Sequence, residues 1–209
     1  VALFESTLRE GGIIKVLRVP AMHALSRSET DRLEDLVREL GGKGLGRAKL
    51  DERGGWTQSP FAKTLALDLR DAIARTAGAT AGDLLLFQFG RPKTVNTVLG
   101  GLRLHLGKRF GLIPADRFDL LWVDDFPLFD CDPVSQQLVA AHHPFTSPRA
   151  GDESHLETSP QECRARAYDL VLNGHEVAGG SIRIHDPSVQ AQVFKALGIG
   201  DQEARQKFG

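Results

Sequence analysis

The dipeptide Asn173-Gly174 separates two apolar-rich runs, residues 168–172 and 176–184. Asn-Gly is the strongest short-range signal for a two-residue hairpin, because both central positions of that turn need positive φ. The two runs are therefore expected to pair antiparallel. That places Asp169 on one strand and Glu176 and Arg183 on its partner. Residues 120–126, ending at Pro127, and 137–142 read as further strands. Asp186-Pro187 has the N-cap and N1 pattern of a helix start. Val189, Val193 and Leu197 line that helix, and Gly198 ends it. Residues 144–162 are polar and contain three prolines, so they are expected to form a mobile loop.

The first half alternates strands and helices. Residues 13–19 form a β-branched run closed by Pro20, and residues 44–50 and 84–89 read as two more strands. Ser28-Glu29-Thr30-Asp31 has a capping-box pattern. Leu33, Leu36, Val37 and Leu40 follow at helical spacing until Gly41-Gly42. Residues 61–75 and the Val95, Val98, Leu99, Leu102, Leu106 series predict two more helices, with a loop at 51–60. The pattern gives an α+β fold with a boundary near residues 97–98, where helix–strand alternation yields to hairpins.

Composition excludes several classes. With 26 Lys+Arg against 27 Asp+Glu, the formal net charge is -1. That balance argues against a strong overall attraction to nucleic acid, though not against a local one. No apolar run reaches the roughly 18 residues a bilayer crossing needs, so no membrane partner is expected. The two cysteines, Cys131 and Cys163, form no disulfide framework, and with His155 and His185 they lack zinc-ligand spacing. A reducing, cytoplasmic setting is the default.

Three clusters carry candidate chemistry. His142-His143-Pro144-Phe145-Thr146-Ser147-Pro148 places two imidazoles before a stiff turn. On an extended backbone adjacent side chains point to opposite sides, so at most one of the two can face a given pocket. Solvated histidines at a strand end are the plainer reading. Glu176 and Arg183 flank Ala178-Gly179-Gly180-Ser181. Residues seven apart on a regular strand face opposite ways. A β-bulge at the glycine pair would bring both charges to one face. A glycine kink beside a structural ion pair accounts for the pattern equally well. Asp169, with Glu176, would offer two hard oxygen ligands to Mg²⁺, whereas an exposed strand aspartate with a basic neighbour needs no metal.

Those motifs, with Ala167-Tyr168-Asp169-Leu170-Val171-Leu172-Asn173-Gly174-His175-Glu176-Val177 and Gly179-Gly180-Ser181-Ile182-Arg183-Ile184-His185 between and beyond them, resemble bacterial-type aspartyl-tRNA synthetases. Leu121-Trp122-Val123 and Asp125-Phe126-Pro127 fit the strand before the His-His loop in that family. Residues 1–97 resemble the family's GAD insertion domain, and 98–209 part of a class II catalytic domain with an antiparallel sheet and flanking helices. The resemblance implies activation of L-aspartate with Mg²⁺-ATP and transfer to tRNA(Asp), with a homodimer expected for the intact enzyme. It places His142 and Arg183 on aspartate, Glu176 on ATP and, with Asp169, on Mg²⁺, and leaves His143 a supporting role. It assigns no residue here a role in the chemical step itself. This chain departs by carrying Ala178 where three glycines are usual. Motif 1 and an anticodon-binding barrel are not found; motif 2 would precede Val1, and motif 3 would follow Gly209. The sequence is therefore expected to be an internal segment, nearly inactive alone. A binding module contacting tRNA or neighbouring domains is the competing reading, and a metal-dependent hydrolase built on the histidines a weaker one.

Overall fold

The computed structural model describes residues 2–21 and 25–208. The chain divides into two units, Val1–Ala115 and Asp116–Gly209.

In the first unit the sheet is built around its most apolar strand. The strands are β1 (Ile13–Val19), β2 (Gly46–Leu50), β3 (Trp56–Thr57) and β4 (Leu84–Gly90), ordered β1-β4-β2-β3. Every pairing is antiparallel, although the alternation of strands and helices would equally suit a parallel sheet. Leu85, Leu86 and Phe87 of β4 are all fully buried, because both faces of the sheet are covered. Leu86 packs with Leu33 and Val37 of α2 (Arg27–Glu39) and with Val95, Val98 and Leu102 of α4 (Pro92–Arg109). Leu85 and Phe87 pack on the other face with Phe4 of α1 (Ala2–Arg9), Trp56, Phe61 and Leu65, and Ile73 of α3 (Leu67–Thr76) joins them.

Local signals placed most of these elements, with three corrections. The capping box sits at Ser26 and Glu29 rather than at Ser28. Ser26 Oγ accepts the Glu29 N–H at 3.2 Å, and Glu29 Oε2 accepts the Ser26 N–H at 2.9 Å. Residues 61–65 form a turn that buries Phe61 and Leu65, and α3 begins only at Leu67. The expected boundary at residues 97–98 falls inside α4, whose apolar face, from Val95 to Leu106, is buried; the two units part after Ala115 instead.

The second unit holds a three-stranded antiparallel sheet ordered β5-β8-β9, from β5 (Leu120–Val123), β8 (Ala167–Leu172) and β9 (His175–Ser181). A separate ribbon pairs β6 (Phe129–Cys131) with β7 (Leu138–Ala140). The core joins Leu128, Phe129, Leu156, Cys163, Ala165 and Ala167 to Val193 of α6 (Pro187–Ala196). Asp186 caps α6 as its sequence suggests, accepting the Ser188 N–H at 2.8 Å. A last helix, α7, spans Asp201–Phe208.

The segment expected to be a mobile loop is instead a packed one. It forms short helical turns at Asp152–Ser154 and Pro160–Glu162 around α5 (His155–Thr158). Thr146, Pro148, Asp152 and Leu156 are buried along it. A polar composition hid these anchors, because each is a single inward side chain in an irregular backbone that has no period to read.

Candidate functional site

The hairpin tip forms as Asn-Gly dictates, with Asn173 at φ 49° and Gly174 at φ 84°. Asn173 does more than turn the chain. Its side-chain oxygen accepts the Asp119 N–H at 2.8 Å, and its amide donates to the Arg117 carbonyl at 2.8 Å. The tip is thereby tied to the chain entering β5.

Below the tip, β8 and β9 pair from Leu172↔His175 to Ala167↔Ser181, with a register shift between Leu170 and Val171. Val171 faces Glu176 and Leu170 faces Ala178, so Val177 is the extra residue. The bulge thus lies on the turn side of the glycine pair rather than at it. Its effect on register is nevertheless the one a bulge must have. One inserted residue moves Glu176 to the face shared by Gly179, Ser181 and, by alternation, Arg183. Asp169 pairs directly with Gly179 and belongs to that face as well.

Both glycines lie beneath side chains. A Cβ at Gly179 would stand 2.6 Å from Asp169 Oδ1 and 3.1 Å from Glu176 Oε1. A Cβ at Gly180, on the opposite face, would stand 2.9 Å from the Tyr168 hydroxyl. The Tyr168 ring in turn meets Trp122 edge-on at 5.9 Å. Among the described residues the Asp169 and Glu176 carboxylates have no hydrogen-bond or ion-pair partner. Two unpartnered carboxylates overhanging one point fit a hard divalent cation such as Mg²⁺. Such an ion commonly takes one or two carboxylates and completes its shell with water and phosphate oxygens. No group of three or more His, Cys, Asp or Glu suited to a metal occurs among the described residues.

Arg183 lies just past β9, in an antiparallel bridge with Thr146. Around that bridge the Ser147 N–H donates to the Ile182 carbonyl at 2.8 Å, and the Ile184 N–H to the Phe145 carbonyl at 2.9 Å. The chain leaving the two histidines is therefore zipped onto the strand that carries Arg183. Arg183 is exposed, and its guanidinium has no ion pair among the described residues. The imidazoles rest on different phenylalanines. His142 meets Phe126 at 4.8 Å and His143 meets Phe145 at 5.0 Å. His143 Nδ1 accepts the Phe145 N–H at 3.2 Å, which assigns its proton to Nε2.

A second charged group, absent from the sequence reading, braces this region. Arg149 reaches Asp125 at 2.8 Å and Asp152 at 3.4 Å. Asp152 also accepts the Arg164 N–H at 2.8 Å. That hydrogen bond, with Arg149 beside it, holds the Asp152 carboxyl below its usual range despite burial. Burial pushes the Cys163 thiol up to about 11, so it is a packing group rather than a nucleophile. No spacing rule joins residues 125, 149, 152 and 164, and only their proximity reveals the network. Two cavities, of about 300 and 550 Å³, lie in the first unit and include none of the residues just described. Asp169, Glu176 and Arg183 instead share an open sheet face.

Comparison with known proteins identifies the family. Residues 17–209 match the family described as tRNA synthetases class II (D, K and N). The chain is 53% identical to the aspartate–tRNA(Asp/Asn) ligase of Anaeromyxobacter dehalogenans (strain 2CP-C), over all of this chain and 35% of that relative. It is 47% identical to the ligase of the same name from Nitratidesulfovibrio vulgaris, over 94% of this chain and 32% of the relative. The corresponding ligase of Geotalea uraniireducens is 44% identical over 99% of this chain and 35% of its own length. The chain thus spans about a third of the length of these relatives.

Proposed function

The chain belongs to the class II tRNA synthetases (D, K and N), and on that premise we propose that it serves an aspartate–tRNA ligase. That enzyme activates L-aspartate with ATP to aspartyl-adenylate and transfers it to tRNA(Asp). The relatives are named for both tRNA(Asp) and tRNA(Asn), and charging of both is the matching proposal for this protein. The observation that carries the reading is the bulge at Val177, which puts Glu176 on the face of Asp169 and Gly179, the face that alternation also assigns to Arg183.

In this reading Arg183 grips the side-chain carboxylate of aspartate. A planar guanidinium supplies two parallel N–H donors, and no ion pair among the described residues competes for them. Asparagine offers one neutral carbonyl acceptor and an NH₂ donor in place of the charged oxygen pair, and is rejected. His142 contacts the bound aspartate from the neighbouring turn. His143 supports it, because its Nδ1 is already committed to the Phe145 N–H. Glu176 and Asp169 would hold the Mg²⁺ that accompanies ATP, which would supply positive charge against the phosphate oxygens. The chain's own residues bind and orient; proximity and charge stabilisation supply most of the acceleration in such sites. Ala178, the departure from the family's three glycines, pairs with Leu170 and so faces away from the carboxylates.

The first unit, Val1–Ala115, would hold a GAD-type insertion domain and the second part of the catalytic domain. The full-length enzyme would be a cytoplasmic homodimer. No described helix is long and apolar enough to cross a membrane.

The test is ATP–pyrophosphate exchange by a full-length enzyme carrying this segment. Exchange is expected with aspartate and not with asparagine or lysine. Equal exchange with either competitor would overturn the aspartate assignment.

A further inference from the structure

Gly179 occupies a position that ordinary backbone geometry does not reserve for glycine. Its φ lies outside the left-handed region, unlike that of Gly174 at 84°. An alanine could adopt its backbone. Glycine within a strand costs roughly 0.5–1 kcal/mol relative to alanine. Something other than the backbone therefore accounts for the missing side chain.

The atoms that a Cβ would meet supply the reason. They are Asp169 Oδ1 at 2.6 Å, Glu176 Oε1 at 3.1 Å and Asp169 Cγ at 3.5 Å. All three belong to side chains, and none is backbone. A methyl group could be accommodated without moving the sheet, but only by pushing both carboxylates away from their common point. Ala178, next in the chain, carries a Cβ on the opposite face, so the strand itself accepts a methyl beside the bulge.

We propose that Gly179 is a positioning residue for the divalent cation: by lacking a side chain it lets Asp169 and Glu176 converge at the spacing the ion needs. The inference rests on the reading of Asp169 and Glu176 as Mg²⁺ ligands. Two like charges gain nothing from converging in the absence of a cation. The cost of a strand glycine is then offset when the ion binds. Gly180 does an unrelated task on the other face, where its missing side chain seats the Tyr168 ring.

The experiment uses a full-length enzyme carrying this segment, with Mn²⁺ as the probe in the presence of ATP. Metal affinity is read by electron paramagnetic resonance, alongside thermal melting. Gly179→Ala should weaken Mn²⁺ binding by roughly 10–100-fold, the range seen when groups that orient metal ligands are altered. Melting temperature should not fall. Asp169→Asn should weaken binding in the same direction, and Gly180→Ala should leave Mn²⁺ affinity unchanged. Parental Mn²⁺ affinity in Gly179→Ala, with Asp169→Asn impaired, would overturn the positioning role and leave the metal reading standing. Parental affinity in both would overturn the two together. A Gly179→Ala enzyme that melts early would also overturn the proposal, because it requires that only side-chain ends move.

Discussion

The Asp83 carboxylate is almost wholly buried and holds Arg18 Nε at 2.7 Å, joining the start of β4 to β1. It also accepts the Ala21 N–H at 2.8 Å and the Thr80 N–H at 2.8 Å. Burial opposes its charge, but these donors outweigh burial and hold its pKa below the ordinary aspartate value.

Asp83→Ala should therefore cost about 2 kcal/mol in chemical denaturation at neutral pH. Most of that comes from two partly buried N–H groups losing their acceptor. Arg18 is partly exposed and can be rehydrated, so the ion pair adds little. Because the folded pKa is lowered, the stabilisation is complete above the unfolded pKa and is lost as pH falls through the folded one. Stability lost between neutral pH and pH 3 should be larger in the parent than in Asp83→Ala. Parallel pH profiles would refute the assignment.

Glu29 follows the same sign. The Ser26 N–H and hydroxyl, then Arg109, lower its pKa to about 2. The capping box should be intact above about pH 4.5, the unfolded value, and should weaken as pH approaches 2. Ser26→Ala should cost about 1 kcal/mol, as loss of a serine N-cap does. Equal melting temperatures for Ser26→Ala and its parent would count against the cap.

Leu156 is 3% exposed and packs α5 into the second core. Leu156→Ala should destabilise that unit by about 2–4 kcal/mol, the cost of a cavity in a core. Limited proteolysis should then cut within residues 144–162 in the variant before the parent. Identical cleavage rates would mean that the segment is not held by this side chain.

Arg183→Ala, in the full-length enzyme, should raise the aspartate KM by an amount equal to roughly 2–5 kcal/mol of binding, as for removal of one side of a charge pair. Arg183→Lys should recover only part of it, because an ammonium lacks the paired donors. An unchanged aspartate KM in Arg183→Ala would remove the clamp role.

The 209-residue chain by itself should show no aspartate-dependent pyrophosphate exchange. It spans about a third of its relatives, and most residues of β5 and β9 are exposed. Exchange at the full-length rate would contradict this.

Much of the site was legible because its elements are local. Asn173-Gly174 specifies a turn from two residues, and period-two alternation then assigns faces along each strand. A bulge was one of two equal readings of Glu176 and Arg183 lying seven apart. Its location was not legible, since a glycine pair marks weakness in a strand but not which residue is extra. Val177, a good strand former, proved to be the bulged residue.

Residue order alone specified the hairpin, the helix started by Asp186-Pro187 and the inward face of α4, because each rests on contacts between near neighbours. Tertiary structure alone decided that residues 144–162 are packed, that Arg149 bridges Asp125 and Asp152, and that Gly179 and Gly180 sit under groups from the opposite strand. Apart from Arg149–Asp152, three residues apart, these contacts cross from one strand or loop to another, and no local propensity or spacing encodes which of many apolar or charged partners will meet.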